Sequence, residues 1–372
     1  MKIAMIGHKR IPSREGGVEI VVEELAVRMV RMGHSVTVYN RSGEHVSGAE
    51  HGAARLSEYK GIRIVNVPTP SSRSLNAIVY SLFATIHAIF GGYDVIHYHA
   101  EGPGSMLGIP AFFGKRTIST VHGLDWQRGK WGGFATKFLL FGEKTLAKHA
   151  DEVIVLSENV RGYFSEKYGR DTHFIPNAVN TPEKREPQII TDKYGLAGGD
   201  YILFLARIVP EKGLHYLLEA FRDIDTGKKL VVAGGTSHSD EYVTQIKEQA
   251  AADSRVIMTG FVQGDELTEL YSNCALYVLP SDIEGMPLTL LEAMSFGRRC
   301  LTSDIPENTA VSDSFAASFA KSDVADLRAK LRGLLDGGIE LPSPDEISGH
   351  ILGRFNWDDI TGRTLALYEK DS

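Results

Sequence analysis

Two glutamates separated by seven residues, Glu284 and Glu292, lie in the run Ser281-Asp282-Ile283-Glu284-Gly285-Met286-Pro287-Leu288-Thr289-Leu290-Leu291-Glu292-Ala293-Met294. Pro287 suits the opening of a helix, which puts Glu284 in the preceding loop and Glu292 about two turns in, on a largely apolar face. A carboxylate is costly to bury there unless it accepts hydrogen bonds, and sugar or ribose hydroxyls would supply them. The plainer alternative makes Glu284 a capping acid and Glu292 a surface residue. The start of the same helix, Gly285, Met286, Pro287 and Leu288, would offer N–H groups and the positive end of a dipole to a phosphate. A second constellation is Ala206-Arg207-Ile208-Val209-Pro210-Glu211-Lys212-Gly213, whose Arg207 and Lys212 can bind a diphosphate and stabilise it as a leaving group. A third is the loop Gly7 to Glu19, where the pair Gly16-Gly17 precedes a helix and lets backbone N–H groups approach an anion or a sugar closely. It lacks the spacing of a dinucleotide fingerprint or a P-loop. His122, in Thr120-Val121-His122-Gly123, ends an apolar run and is read equally as a reaction-centre residue or a structural one. Asp223-Ile224-Asp225 closes a helical pattern and is taken as a solvated helix end, so no metal site is expected.

Parallel sheets built from βαβ units are what would hold these groups, because apolar strand-like runs alternate with helical patterns throughout. In the first half the expected strands are 2–7, 35–40, 94–98, 116–121 and 152–156. Apolar residues at 18, 21, 22, 25, 26, 29 and 30 mark one face of a helix over Val18–Met32, closed by Gly33. The polar, proline-bearing segment Asn180–Gln188 reads as a linker. A second series follows, with strands at 201–206, 229–233, 255–259, 275–279 and 299–302. In open α/β sheets ligands gather beyond the carboxyl ends of strands, which is where each constellation falls.

At 372 residues the chain suits two domains, and its 43% hydrophobic and 23% charged content is that of a soluble globular protein. The net charge of −7 divides unequally: residues 1–180 carry 21 Lys+Arg against 16 Asp+Glu, residues 181–372 carry 19 against 31. Nucleic-acid binding needs denser basic clustering than this and is not expected. Two cysteines, Cys274 and Cys300, make neither a disulfide framework nor a zinc spacing, so a reducing cytoplasm is expected. The first residues reach Gly7 too soon for a signal-peptide core and read as a buried strand beginning the mature chain. Leu75–Phe90 is broken by Asn76, Ser81, Thr85 and His87 and is too short to span a bilayer. That stretch and Trp126–Lys148 combine apolar and aromatic residues, the second with basic ones, in the manner of an interfacial helix, a pattern that core helices share.

The motif EGMPLTLLE after ARIVPEKG, with GGVE in the first loop, THG-type residues at 120–123 and Ile175-Pro176-Asn177-Ala178-Val179, resembles the retaining family 4 glycosyltransferases over nearly the whole chain. The opening GHKRIPSREGGVEIVVEELAVRM and Leu124-Asp125-Trp126-Gln127-Arg128-Gly129-Lys130-Trp131 are similar to a bacterial subgroup of rhamnosyltransferase type that builds surface polysaccharides; that subgroup carries an aromatic after the Gly-Gly pair where this chain has Val18. The resemblance implies an α/β, GT-B architecture: two Rossmann-like domains with parallel sheets facing across a cleft, residues 1–180 for the acceptor, 181–354 for the nucleotide sugar, and a C-terminal helix in 355–372 packing back toward the first domain. It implies Arg207 and Lys212 on the diphosphate, Glu292 on the ribose, Glu284 on donor-sugar hydroxyls, and Gly16, Gly17, Gly285, Met286, Pro287 and Leu288 around the donor. His122 would line the reaction centre, with Glu19 and Trp126 on the acceptor side. The implied reaction is metal-independent transfer of a hexose or deoxyhexose, with retention and without a protein nucleophile or cofactor, to a saccharide acceptor that a lipid carries. The expected location is cytoplasmic, with peripheral contact to an anionic membrane. An epimerase on the same fold and a non-catalytic nucleotide-sugar-binding module are the rival readings.

Overall fold

The computed structural model describes residues 1–43, 56–127, 132–236 and 240–369. The chain forms two compact units, Met1–Asn177 with Trp357–Ser372, and Ala178–Asn356. The expected boundaries, 180/181 and 354/355, therefore move by three and two residues. The reason is local: Val179 bridges Asn356 and donates its N–H to the Phe355 carbonyl, so both ends of the crossing belong to the second unit. The linker segment is likewise tied to that unit, with Arg185 N–H on Ser272 Oγ and the N–H groups of Gln188 and Ile190 on the buried carboxylate of Glu269.

In the first unit the strands are β1 (Lys2–Ile6), β2 (Ser35–Ser42), β3 (Glu58–Tyr59), β4 (Ile62–Pro68), β5 (Val95–His99), β6 (Arg116–Val121), β7 (Glu152–Val155) and β8 (His173–Phe174). They lie in the order β3-β4-β2-β1-β5-β6-β7-β8, parallel except for the β3–β4 hairpin. β1 and β5 are continuous apolar or fully buried runs, as strands covered on both faces must be. The helix Gly17–Arg31 buries its apolar face and ends at Met32, with Gly33 at φ +88 directly after it. The chain travels from β1 toward β2 and β4, then returns to place β5 on the other side of β1. That reversal makes a topological switch point between β1 and β5.

The C-terminal segment completes this unit. Arg28 on the first helix donates to Asp358 at 2.9 Å and stacks over Trp357, Tyr368 meets the buried His97 at 2.7 Å, and Arg363 donates to the Phe174 carbonyl.

The second unit has strands β9 (Tyr201–Leu205), β10 (Lys229–Ala233), β11 (Val256–Gly260), β12 (Leu276–Leu279), β13 (Cys300–Ser303) and β14 (Ala317–Phe319). Their order is β11-β10-β9-β12-β13-β14, all parallel, with the switch point between β9 and β12. A core of Ile202, Phe204, Leu217, Phe221, Leu230, Val278, Leu301 and Leu331 joins the sheet to its helices. Asp223 and Asp225 stand beyond the helix Leu214–Arg222, away from this switch point, and Asp223 pairs with Arg328 at 2.7 Å.

Candidate functional site

In the second unit, the loops after β9 and β12 meet at the switch point. The loop after β9 runs 206–213 and the one after β12 runs 280–287. They fit closely: Asp282 N–H donates to the Glu211 carbonyl at 2.9 Å, and a Cβ on Gly213 would lie 1.9 Å from the Pro280 carbonyl oxygen. Gly213 also sits at φ +66, so no other residue serves here without moving one loop.

This packing brings Lys212 to Glu284. Lys212 Nζ donates to Glu284 Oε1 at 2.5 Å, with the two side chains only 17% and 7% exposed, and Ser281 Oγ donates to the same oxygen at 2.7 Å. Ser281 is itself fixed, since Ser303 donates to its carbonyl and Asn308 donates to Ser303. Asp282 accepts from Tyr216 and Ser322. Charge-assisted bonds in a shielded place are strong and directional, so Lys212 and Glu284 are held rather than wandering in solvent.

Glu292 takes a different partner. It stands on the helix Leu288–Ser295 and accepts from the Tyr271 hydroxyl at 2.9 Å. Tyr271 stacks on Phe296, and Tyr277, whose phenol feels both glutamates, donates to Thr289 at 2.7 Å. Burial pushes both phenols well above their ordinary range, so each remains a neutral donor. Pro287 occupies the position before the helix and not its first turn, a correction to the expected start; Leu290 and Leu291 donate to its carbonyl. Gly285 is buried beneath this turn, and Arg207 lies half-buried at the end of β9.

In the first unit the switch point gathers a different chemistry. Asn40, at the end of β2, anchors the loop after β1 by accepting from Ile11 N–H, donating to the Ile11 carbonyl and meeting His8 Nε2 at 3.0 Å. Glu19 is buried and accepts Lys9 N–H at 2.8 Å; its other oxygen fills the space where a Cβ on Gly16 would be. Gly17 begins the helix. Glu19 is thus committed to shaping the glycine loop.

His122, one residue past β6, meets the fully buried His99 at 3.0 Å, and the His97 ring stacks on His99 at 4.1 Å. Burial holds these imidazoles neutral, His8 at about 4 and His97 at about 3, with His99 well below its usual value and lowered further by its histidine neighbours. The turn that follows is clamped by two buried carboxyl groups. Glu101 accepts Asp125 N–H at 2.9 Å, and Glu143 accepts from Trp126 Nε1, Tyr163, Lys167 and Tyr168. Burial, with Asp125 and Glu143 adding to it, raises Glu101 well above the carboxylate range. Burial would also raise Glu143, but its donors outweigh that and hold it below. Trp126 is therefore a fixed wall of the turn. Arg128, Gly129, Lys130 and Trp131 lie outside the described residues.

The sequence-expected residues thus fall at two switch points. Arg207, Lys212, Glu284, Gly285, Met286, Pro287, Leu288 and Glu292 line the second unit's, and Gly16, Gly17, Glu19, His122 and Trp126 the first unit's. Sequence reasoning passed over Ser281, Tyr271, Asn40, His99 and Glu143. Only the alternation His97-x-His99, which puts both rings on one face of a strand, was a local signal for any of them.

Residues 15–183 match the family described as Glycosyltransferase Family 4, and residues 188–346 match Glycosyl transferases group 1. Among similar proteins, the uncharacterized glycosyltransferase MJ1607 of Methanocaldococcus jannaschii is 25% identical, with 99% of this chain and 98% of that protein covered. The GDP-mannose-dependent alpha-(1-6)-phosphatidylinositol monomannoside mannosyltransferase of Mycolicibacterium smegmatis is 23% identical over 77% of this chain and 76% of its own. Among solved structures, Anabaena Alr3699/HepE in complex with UDP and glucose superposes with a TM-score of 0.81 at 16% identity, covering 98% of each chain. That likeness speaks for the fold, two Rossmann-like domains of the GT-B class.

Proposed function

Because this chain belongs to the family 4 glycosyltransferases of GT-B fold and uses a nucleotide sugar, we propose that it moves a hexose or deoxyhexose, with retention, to a saccharide on a lipid carrier. The observation that carries the reading is the Lys212–Glu284 pair at the switch point of the second unit.

The donor's diphosphate is assigned to Arg207 and Lys212. As the glycosidic bond to the donor breaks, charge accumulates on the leaving phosphate, and fixed cations in a shielded site stabilise it there. These cations do the neutralising that a divalent metal would otherwise do, so the proposed reaction uses none and needs no cofactor. An ammonium carries three N–H donors. The bond to Glu284 therefore orients Lys212, while Glu284 remains an acceptor for donor-sugar hydroxyls; the backbone from Gly285 to Leu288 faces the same ligand. Glu292, steadied by Tyr271, is assigned to the ribose.

On the first unit, the Gly16-Gly17 turn and His122 are assigned to the reaction centre and acceptor, with Glu19 and Trp126 shaping that side. No protein nucleophile is proposed: the acceptor hydroxyl attacks the anomeric carbon on the face the phosphate leaves, and the departing phosphate takes its proton. The biological setting proposed is synthesis of a bacterial surface polysaccharide, of rhamnosyltransferase-like type, at the cytoplasmic face of the membrane. Among the described residues no helix is long and apolar enough to cross a membrane. The mannosyltransferase from Mycolicibacterium smegmatis, by its name, acts on a phosphatidylinositol mannoside, which supports a lipid-borne acceptor.

The test is proton NMR of the purified protein with UDP, GDP, dTDP and ADP sugars, each with and without a lipid-linked oligosaccharide extract. One donor is expected to be consumed only when the extract is present, giving a new glycoside of unchanged anomeric configuration. Conversion of a donor into its epimer without acceptor would overturn the transferase reading.

A further inference from the structure

The helix Gly133–His149 has two unlike faces. Leu139, Gly142, Glu143, Leu146 and Ala147 are buried against the rest of the first unit. Phe134, Lys137, Phe141, Lys144 and Lys148 follow one another at spacings of three and four residues, which places them on one side of the helix, and all five are exposed. The rings are far out of the core, Phe134 at 73% and Phe141 at 58% exposure. The neighbouring helix Gly108–Phe112, whose Gly108 lies against Thr145 and His149, ends in a second exposed pair, Phe112 and Phe113, in edge contact at 5.6 Å.

Charge on this region is of one sign. Across residues 102–124 and 132–149 the carboxylate side chains are Glu143 alone within the helix and none on the exposed stripe; Glu143 itself is buried and salt-bridged to Lys167 at 2.9 Å. Asp125, in the turn ahead, lies outside both stretches. Large apolar residues left in water beside unneutralised lysines have no stabilising role in an isolated domain. They suit a surface with an anionic skin and an apolar interior. A second copy of this chain would set lysine against lysine, which disfavours self-pairing through this face.

We infer that this face docks on an anionic phospholipid bilayer, with Phe134 and Phe141 entering the headgroup boundary and Lys137, Lys144 and Lys148 pairing with lipid phosphates. The inference deepens the lipid-acceptor reading, on which its purpose rests: docking holds the acceptor unit at the surface that carries the acceptor. Aromatic immersion and basic flanks act together in such helices, each lysine near an anionic surface contributing up to about fivefold in partition and each buried ring tenfold or more.

Vesicle co-sedimentation tests it, using the full chain with phosphatidylcholine alone and with equal parts phosphatidylcholine and phosphatidylglycerol. The protein is expected to sediment with the anionic vesicles and not the neutral ones, and to be released by salt. The variant Phe134→Ser with Phe141→Ser, and separately Lys137→Gln with Lys144→Gln and Lys148→Gln, should each bind about a hundred-fold more weakly. Both should keep the wild-type circular dichroism and the wild-type melting shift with the nucleotide sugar. Absence of binding to anionic vesicles overturns the inference, as does binding that neither variant weakens. So does a wild-type dimer that the variants convert to monomer, which would make the face a self-interface. The donor-induced melting shift separates the outcomes: if it persists while vesicle binding is absent, docking fails and the transferase reading stands.

Discussion

Turnover is expected to fall by about a thousand-fold in Lys212→Ala, the upper end of what losing one preorganised charge-stabilising donor costs. Lys212 lies on a loop that Gly213 presses against Pro280, and its ammonium bonds Glu284 in a place where both side chains are largely shielded. Removing it takes away a cation from the leaving diphosphate and also leaves Glu284 with its Ser281 bond but without its lysine counter-charge. The second effect reinforces the first, because an unbalanced carboxylate repels the phosphate that has to settle beside it. Glu284→Gln separates the two. It keeps the cation and an acceptor for sugar hydroxyls, so its rate should fall less than that of Lys212→Ala. Steady-state transfer with the donor that the NMR screen identifies provides the measurement. A Lys212→Ala rate within tenfold of wild type, in a variant that melts normally, would remove Lys212 from the diphosphate.

Acid is expected to unfold the first unit well before carboxylate titration alone would do so. His8, His97 and His99 are completely buried and held neutral, His8 to about 4 and His97 to about 3. In the unfolded chain each titrates near 6.5. As pH falls below that value the unfolded state gains protons that the folded state refuses, so stability is present above about 6.5 and is lost downward toward 4. By pH 5 the loss is about 2 kcal/mol for each histidine. Glu101 acts in the opposite sense: its folded value is raised, so it favours the folded state as pH falls and offsets part of the loss. The net effect remains several kcal/mol, a large share of the 5–15 kcal/mol that separates folded from unfolded proteins. Urea unfolding between pH 7 and pH 5 should show this decline, and His99→Gln, which carries no titrating ring, should flatten it. Unchanged stability across that interval would mean that the buried imidazoles take up protons after all.

The arrangement of the two sheets was legible because a parallel strand covered on both faces must be an apolar run, and β1, β9, β10 and β12 are such runs. β4 was missed although Ile62, Ile64 and Val67 are its buried positions; the polar Arg63 and Asn66 between them broke the run, and the alternation went unread. The donor-side residues were found because they cluster within two short loops at strand ends, and the only error there was the placing of Pro287. The first unit's site was harder. His99 and Glu143 have partners 23, 17, 20, 24 and 25 residues away, and His97 meets Tyr368 across 271 residues. No spacing in the chain encodes such meetings; they follow from which strand lies beside which, and from the C-terminal segment completing the first unit. The same logic explains Glu19, whose carboxylate on the first helix reads as a candidate ligand group until the fold gives it Lys9 N–H.

The central claim is that a nucleotide sugar is held through Arg207 and Lys212 beside Glu284. Thermal melting against UDP, GDP, dTDP and ADP sugars tests it most directly, because a ligand that binds only the folded state stabilises it by about 2.7 kcal/mol at a hundred times its Kd. The account predicts that one nucleotide class raises the melting temperature in a saturable way and that the rise disappears when Arg207→Ala and Lys212→Ala are combined. A rise that survives the double substitution would contradict it.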